Sequence, residues 1–257
     1  MPADEPTNTL WDQRLLANPH AVADKRRRIQ RMFAAIAPRY DLNNRLHSLW
    51  QDQRWRRKAV RLSGMKAGDV VVDVACGTGD LALKFAEAGP ARVIGVDFAH
   101  AMLPLAMAKA DLRWAGHGGC PVGFVGGDAL RLPLRDECCD VVSIAFGIRN
   151  VSDPPAAILE FRRILRCGGR LVILEFSLPS NRVLRGLYNL YFRRVLPRTA
   201  TLISGDRTGA YRYLPESVNT FLDRPAMLAM MREGGFTQVQ HYPMAMGICV
   251  CYVGVKG

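Results

Sequence analysis

Eleven residues, Val70-Val71-Val72-Asp73-Val74-Ala75-Cys76-Gly77-Thr78-Gly79-Asp80, limit the folds open to this chain more than any other stretch. A β-branched, near-continuous apolar run reads as a strand buried on both faces of a parallel sheet. It stops at Gly77 and Gly79, residues that take backbone angles others avoid and let a ligand approach the main chain. A helical pattern, Leu81 to Glu87, follows, with Asp80 placed to cap it. Strand, glycine turn and helix start in this order aim backbone N–H groups at a site of the nucleotide-binding kind. A tight turn that binds nothing has the same pattern, so the neighbouring segments must decide.

Beyond Asp80 strand and helix patterns alternate, the mark of a doubly wound α/β sheet. Strands are expected at Arg92 to Val96, Val122 to Val125, Val141 to Phe146 and Arg170 to Phe176. Helices are expected at His100 to Leu112 and at Pro154 to Leu165, the second capped by Asp153 with Pro154 in its first turn. Pro225 to Glu233 reads as a last helix, and Phe236 to Tyr242 with Gly247 to Val255 as a closing pair of strands. Residues 178–221 interrupt the alternation with an aromatic, arginine-rich, helical insertion.

Ahead of the sheet, residues 1–23 read as a loose leader whose one apolar anchor is Trp11, Leu15 and Leu16. From Asp24 to Ala37 a helix buries Ile29, Met32, Phe33 and Ile36, with Lys25 to Arg28 on its solvent side. A second helix, Leu42 to Leu62, offers Leu42, Leu46, Leu49 and Trp55 to the core. The two would lie as a lid over the carboxyl ends of the strands, where open α/β sheets bind ligands. The expected organisation is therefore a leader (1–23) and a single domain (24–257) made of lid (24–66), core (67–177), insertion (178–221) and closing elements (222–257).

The net charge of +12 is concentrated. Segment 24–66 alone carries +10, and Arg182 to Arg212 holds seven arginines against Asp206. A solvated face explains such runs, as do an anionic membrane surface or nucleic acid. Trp50, Trp55, Tyr188, Tyr191 and Phe192 lie among the charges and suit interfacial contact as well as a core. No apolar stretch reaches the ~20 residues needed to span a bilayer, and the polar, acidic start is unlike a signal peptide; a cytoplasmic protein is expected. Seven cysteines without a Cys-x-x-Cys pair or a histidine at ligand spacing argue for reduced thiols and against a metal site.

Acids follow successive strands. Asp97 stands twenty residues beyond Gly77, where a carboxylate accepts from ribose hydroxyls. Asp128 can accept from an adenine amino group, with the Ala129 N–H serving a ring nitrogen. Asp73, inside an apolar strand, needs a partner, for which the amino group of a bound amino-acid moiety is suited. Gly77-Thr78-Gly79-Asp80-Leu81-Ala82 also satisfies the dinucleotide pattern Gly-x-Gly-x-x-Gly/Ala. A pyrophosphate at that helix start would be repelled by Asp80. S-adenosylmethionine, which is cationic and carries no phosphate, suits Asp73, Asp80, Asp97 and Asp128 better.

Val72 to Asp80 looks like motif I of class I methyltransferases. Phe146-Gly147-Ile148-Arg149-Asn150-Val151 and Leu171-Val172-Ile173-Leu174-Glu175-Phe176-Ser177 resemble one family more closely, the menaquinone/ubiquinone biosynthesis C-methyltransferases. The likeness extends to Ala37-Pro38-Arg39-Tyr40-Asp41, Asn44, Ser48, Trp55, Tyr211-Arg212-Tyr213-Leu214 and Ser217, covering roughly residues 29–256. It implies a Rossmann-like class I methyltransferase sheet with S-adenosylmethionine contacts at Gly77, Thr78, Asp97, Asp128 and Ala129; Asp73 and Gly79 join them from the reading above. Four positions depart from the family pattern: Ala145 replaces a serine, Cys167 a proline, Asn43 a methionine, and Asp52 a frequent histidine.

The resemblance further implies methyl transfer to a ring carbon of a polyprenylated quinol, demethylmenaquinol to menaquinol. The benzoquinol precursor of ubiquinone and other small aromatics stay open as acceptors; an RNA methyltransferase and a nicotinamide oxidoreductase are the competing readings, but no recognised RNA-binding module is present and no nucleic-acid partner is expected. A quinone ring is too electron-poor to attack a sulfonium methyl; the reduced ring, losing a hydroxyl proton, is not. Arg149, with Asn150, is the candidate to stabilise the phenolate charge; Tyr40 and Asp41 would complete the site from the lid. The proton acceptor is left unassigned, with His47 a remote candidate. Leu187, Tyr188, Tyr191, Phe192 and Leu196 would line a groove for the isoprenoid tail, and the basic segments would meet anionic lipid on the inner face of the membrane. A homodimer stays open.

Overall fold

Five parallel strands and an antiparallel pair form one seven-stranded sheet. In the computed structural model, which describes residues 9–114 and 120–257, the chain runs α1 (Gln13–Leu16), α2 (Lys25–Ile36), α3 (Tyr40–His47), α4 (Gln51–Leu62), β1 (Val70–Val74), α5 (Asp80–Glu87) and β2 (Arg92–Asp97). It continues through α6 (Leu103–Trp114), β3 (Val122–Gly126), β4 (Cys139–Ala145), α7 (Pro154–Ile164) and β5 (Leu165–Phe176). The insertion holds α8 (Arg182–Leu190), a π turn (Tyr191–Val195), α9 (Leu196–Ser204) and α10 (Ala210–Asn219); α11 (Arg224–Glu233), β6 (Phe236–Met244) and β7 (Cys249–Lys256) close the chain.

The strand order is β3-β2-β1-β4-β5-β7-β6, with β7 antiparallel to both its neighbours. The order reverses between β1 and β4, which puts a binding crevice at their carboxyl ends. Val71, Val72, Val74, Val141, Val142, Ile144, Leu171, Val172 and Ile173 are fully buried or nearly so, because helices cover both faces of the parallel strands. Asp153 and Asp223 cap α7 and α11 through the Ala156 and Ala226 amides, and each helix has proline in its first turn.

Several expectations are corrected. From Thr9 onward the leader is packed: Leu10 and Leu16 are buried, and Trp11, 0% exposed, lies 4.3 Å from the Tyr213 ring. The Leu10 amide bonds to the Thr208 carbonyl, so the segment is stitched to the insertion; residues 1–8 lie outside the described residues. The helix expected over Leu42 to Leu62 is broken, because Leu49 (φ 51°) and Trp50 (φ 59°) both take the left-handed conformation. That break turns Leu42, Leu46 and Leu49 outward and leaves only Trp55 of the four in the core. Asp80 does not cap α5; Gly79, at φ 82°, takes the cap position, and Asp80 opens the first turn. Lys25, expected on the solvent side of α2, is buried. The fifth strand starts at Leu165, earlier than Arg170, since the turn at Gly168 (φ 74°) stays within the ladder's reach.

Candidate active site

Two cavities meet beneath the lid. The first, a hollow of about 810 Å³ with the solvent at its mouth included, lies at the carboxyl ends of β1, β2 and β4. Gly77, Asp97, Asp128, Ala129, Gly147 and Asn150 line it from the sheet side, and Ile29, Phe33 and Tyr40 cover it from the lid. Gly77 has φ 55°, and a Cβ built on it meets nothing within 4 Å: its missing side chain leaves open cavity where a ligand can touch the main chain. Asp97 braces this turn, its Oδ2 accepting from the Gly77 amide (2.6 Å) and its Oδ1 from the Ala99 amide (2.7 Å). Burial nonetheless pushes the Asp97 carboxyl above its ordinary range, against those two bonds. Asp128 Oδ1 accepts from the Leu130 amide, and its Oδ2 is 3.0 Å from Arg26 of the lid. A cationic nucleoside fits this donor and acceptor set.

Not every sequence-predicted residue reaches that cavity. Asp73 and Gly79 are absent from its lining. Asp73 Oδ1 accepts from the Ser143 hydroxyl at 2.7 Å, and its Oδ2 has no partner among the described residues. Burial pushes the Asp73 carboxyl up to about 7. Thr78 and Asp41 are likewise absent from the lining of both cavities. The Thr78 hydroxyl bonds to Asp41 Oδ1 (2.6 Å), and Lys109 reaches Asp41 (2.5 Å), Asp80 (2.7 Å) and Thr78 (2.9 Å). Arg45 and Gln53 complete this latch from the lid by bonding Asp80. Against burial, the charges of Arg56, Lys109 and Arg45 hold the Asp80 carboxyl below its usual range, so its charge is already balanced within the chain. Asp128 is likewise paired, with Arg26, so the preference for a cationic ligand rests on Asp97.

The second cavity, a hollow of about 1640 Å³ with the solvent at its mouth included, is mostly apolar. Lid, insertion and the turn between β6 and β7 all contribute to it, and Phe33, Tyr40 and Phe146 form a wall that it shares with the first. Tyr188, Tyr191, Phe192 and Leu196 line it; Leu187, expected beside them, faces outward at 61% exposure. Arg149 lies in this wall, buried, its Nη1 bonded to Glu175 Oε1 (2.6 Å) and the Phe146 carbonyl (2.7 Å). Its Nε reaches Ser217 Oγ at 3.3 Å, and its guanidinium stands over the Phe176 ring. Burial raises the Glu175 carboxyl, against the nearby Arg149 charge. Asn150 belongs to the cofactor-side cavity instead, its Oδ1 accepting from Tyr213. His47 lines the second cavity with its two ring nitrogens engaged by the Asn43 carbonyl and the Thr199 hydroxyl.

Sequence reasoning missed three participants. Lys25 donates to the Arg149 and Val151 carbonyls (2.9 and 2.7 Å) and so fixes the Arg149 loop from the far side; burial lowers its pKa to about 8. Arg56 and Asp52 form a buried ion pair in the second cavity. A charged residue on an otherwise apolar helical face was the available signal for each, and it was outweighed by the general basicity of the segment.

Comparison with known proteins agrees with this layout. A model of the ubiE/COQ5 methyltransferase family matches residues 21–256. A demethylmenaquinone methyltransferase of Thermus thermophilus is 49% identical over 87% of this chain and 99% of its own length. A ubiquinone/menaquinone biosynthesis C-methyltransferase of a Geobacter species is 43% identical over 92% of this chain and 100% of its own. Among solved structures, a SAM-dependent methyltransferase from Thermotoga maritima superposes with a TM-score of 0.61 at 20% identity, covering 88% of this chain and 99% of that one, a likeness of fold. The match of a family model to nearly the whole length, over a sheet with its crevice between β1 and β4, decides the affiliation: the chain belongs to the ubiE/COQ5 methyltransferase family.

Proposed function

We propose that this enzyme transfers a methyl group from S-adenosylmethionine to a ring carbon of a demethylated polyprenyl quinol, demethylmenaquinol being the acceptor favoured by the relatives' names. The observation that carries the reading is the shared wall: an apolar cavity large enough for an aromatic head meets the nucleoside-sized cavity across Phe33, Tyr40 and Phe146. When bound, S-adenosylmethionine supplies an electrophilic methyl on a sulfonium. Gly77, Asp97, Asp128 and Ala129 would hold it, while Asp73, Thr78 and Gly79 keep the turn in shape. Tyr40 and Phe146 orient the two reactants at the junction, where catalysis is chiefly positioning. Arg149, held by Glu175 and Ser217, donates to one of the two quinol oxygens and so fixes the ring in the cavity. Asp41 acts at a distance, latching the lid through Lys109.

The rim supports docking on an anionic membrane surface, from which a tailed quinol enters. Helix α8 buries none of its residues and shows Val183, Leu187 and Leu190 to solvent, beside Leu49 (79% exposed), Trp50 and Met246. Each side chain of this kind left in water forgoes roughly 1.5–3 kcal/mol. The exposed arginines 182, 185, 193, 194 and 198 accompany them, the mixed character of an interfacial surface.

Incubation with labelled S-adenosylmethionine and a demethylmenaquinone analogue, oxidised or chemically reduced, tests the reading. Label is expected in the reduced ring alone. Label in neither ring, with the methyl donor still bound, removes the quinol; equal label in both removes the mechanism.

A further inference from the structure

The quinol has two ring oxygens, and the mechanism above uses one. In the same cavity stands a polar group without a role. Asp52 is 3% exposed and Arg56 5%, yet both line the cavity. Asp52 Oδ2 accepts from Arg56 Nη1 (3.1 Å) and Gln53 Nε2 (3.0 Å), and Oδ1 accepts from the Ser48 hydroxyl (3.0 Å). A carboxylate offers about four acceptor positions, so one on Oδ1 is unfilled. Arg56 Nε is buried and has no acceptor among the described residues.

The two arginines mirror each other. Arg56 stands over the Phe146 ring at 5.2 Å and Arg149 over the Phe176 ring at 5.5 Å, and those rings pack at 4.5 Å between centroids. Each guanidinium is paired with a buried carboxylate, Asp52 on the lid and Glu175 on β5. Leaving a buried carboxylate and a buried N–H with unused bonding capacity costs stability. A ligand hydroxyl in the cavity can accept from the guanidinium of Arg56, of which only Nη1 is engaged, and donate to Asp52.

We propose that Asp52 is the proton acceptor of the reaction and that Arg56 holds the same oxygen, so that the quinol is gripped at both ends by Arg56 and Arg149. The inference rests on the quinol reading. The O–H bond of the hydroxyl beside the accepting carbon breaks, its proton goes to the Asp52 carboxylate, and the electron pair stays on oxygen. Delocalised into the ring, that pair forms the new carbon–carbon bond to the methyl, with the old carbon–sulfur pair left on sulfur. The hydrogen on the methylated carbon then leaves as a proton to water, its pair restoring the aromatic ring while Asp52 returns its proton to the oxygen. Net, one methyl is gained and one proton released. His47, with both nitrogens engaged, is not needed.

Two variants test this against a reduced, short-tailed demethylmenaquinone analogue, with calorimetric S-adenosylmethionine binding as the check on folding, since Asp52 does not line the cofactor cavity. Asp52→Asn is expected to keep donor affinity, lose about 100-fold in kcat at neutral pH, and regain about tenfold per pH unit as hydroxide replaces the base. Asp52→His, which restores a base, is expected to stay within about tenfold of the parent with its acid limb moved to the imidazole range. Asn at near-parental kcat, or Asn and His losing the same factor at every pH, overturns the proposal. Should the Asn variant fail to bind the donor, the acid limb of the His variant decides alone: moved, it supports the assignment; unmoved, it overturns it. A parent that leaves the quinol unlabelled overturns the substrate reading instead, a separable result.

Discussion

Between pH 4 and 7 the parent chain is expected to lose stability steadily against an Asp73→Asn variant. Asp73 sits in the middle of β1, paired with Gly95 on one side and Ser143 on the other, and is 1% exposed. Burial dominates and carries its carboxyl from 3.8 up to about 7, while the Ser143 hydroxyl and the Arg56 charge act the other way. Below pH 4 the group is protonated in both states and costs nothing. As pH rises above 4 the unfolded chain releases a proton that the folded chain keeps, so unfolding is favoured by about 1.4 kcal/mol per unit until the folded group also ionises. The full shift is worth roughly 4 kcal/mol. Urea titrations of both proteins at half-unit steps from pH 4 to 8 read it: the stability of the variant minus that of the parent should climb to about pH 7 and level off. The amide adds a constant offset, which leaves the slope untouched. A pH-independent difference refutes the reasoning, because it means the Asp73 carboxylate is solvated as well in the fold as out of it.

Glu175→Gln strands Arg149 with a buried, uncompensated charge and should cost about 3–5 kcal/mol in chemical denaturation; quinol turnover should fall while donor affinity holds. Lys109→Met removes the shared cation of the latch on Asp41 and Asp80, and with both acids partly solvated about 1 kcal/mol, roughly fivefold in donor Kd by calorimetry, is expected. Leu187→Asp with Trp50→Asp should reduce flotation with anionic vesicles several-fold and leave turnover of a short-tailed quinol unchanged.

The sheet was the most legible part of the molecule, because buried parallel strands write themselves as β-branched runs and the glycine turn closes the first of them. The placement of Gly77 and Asp97 at one cavity was readable for the same reason: spacing along consecutive strands sets them at one edge. Residues held by side-chain partners far along the chain were not. Nothing local distinguishes Lys25 from Arg26, Arg27 and Arg28, yet it alone is tied to the Arg149 loop, 124 residues away. The break at Leu49 and Trp50 was invisible for a related reason, since neither residue favours a left-handed backbone and only the tertiary setting imposes it. Three leucines expected in the core are exposed instead, and of them Leu49 lines the second cavity.

The wall of Phe33, Tyr40 and Phe146 divides the enzyme into two inheritances. On the donor side the main chain of the sheet does most of the holding, so change there is tightly constrained. On the acceptor side, apart from Phe146, Arg149, Phe176 and the β6–β7 turn, the lining comes from helices added before and within the α/β alternation. Those helices can drift in sequence, reshaping the room for the ring and its tail, without disturbing the floor on which the methyl is presented. A new acceptor can thus be acquired by remodelling the cap alone.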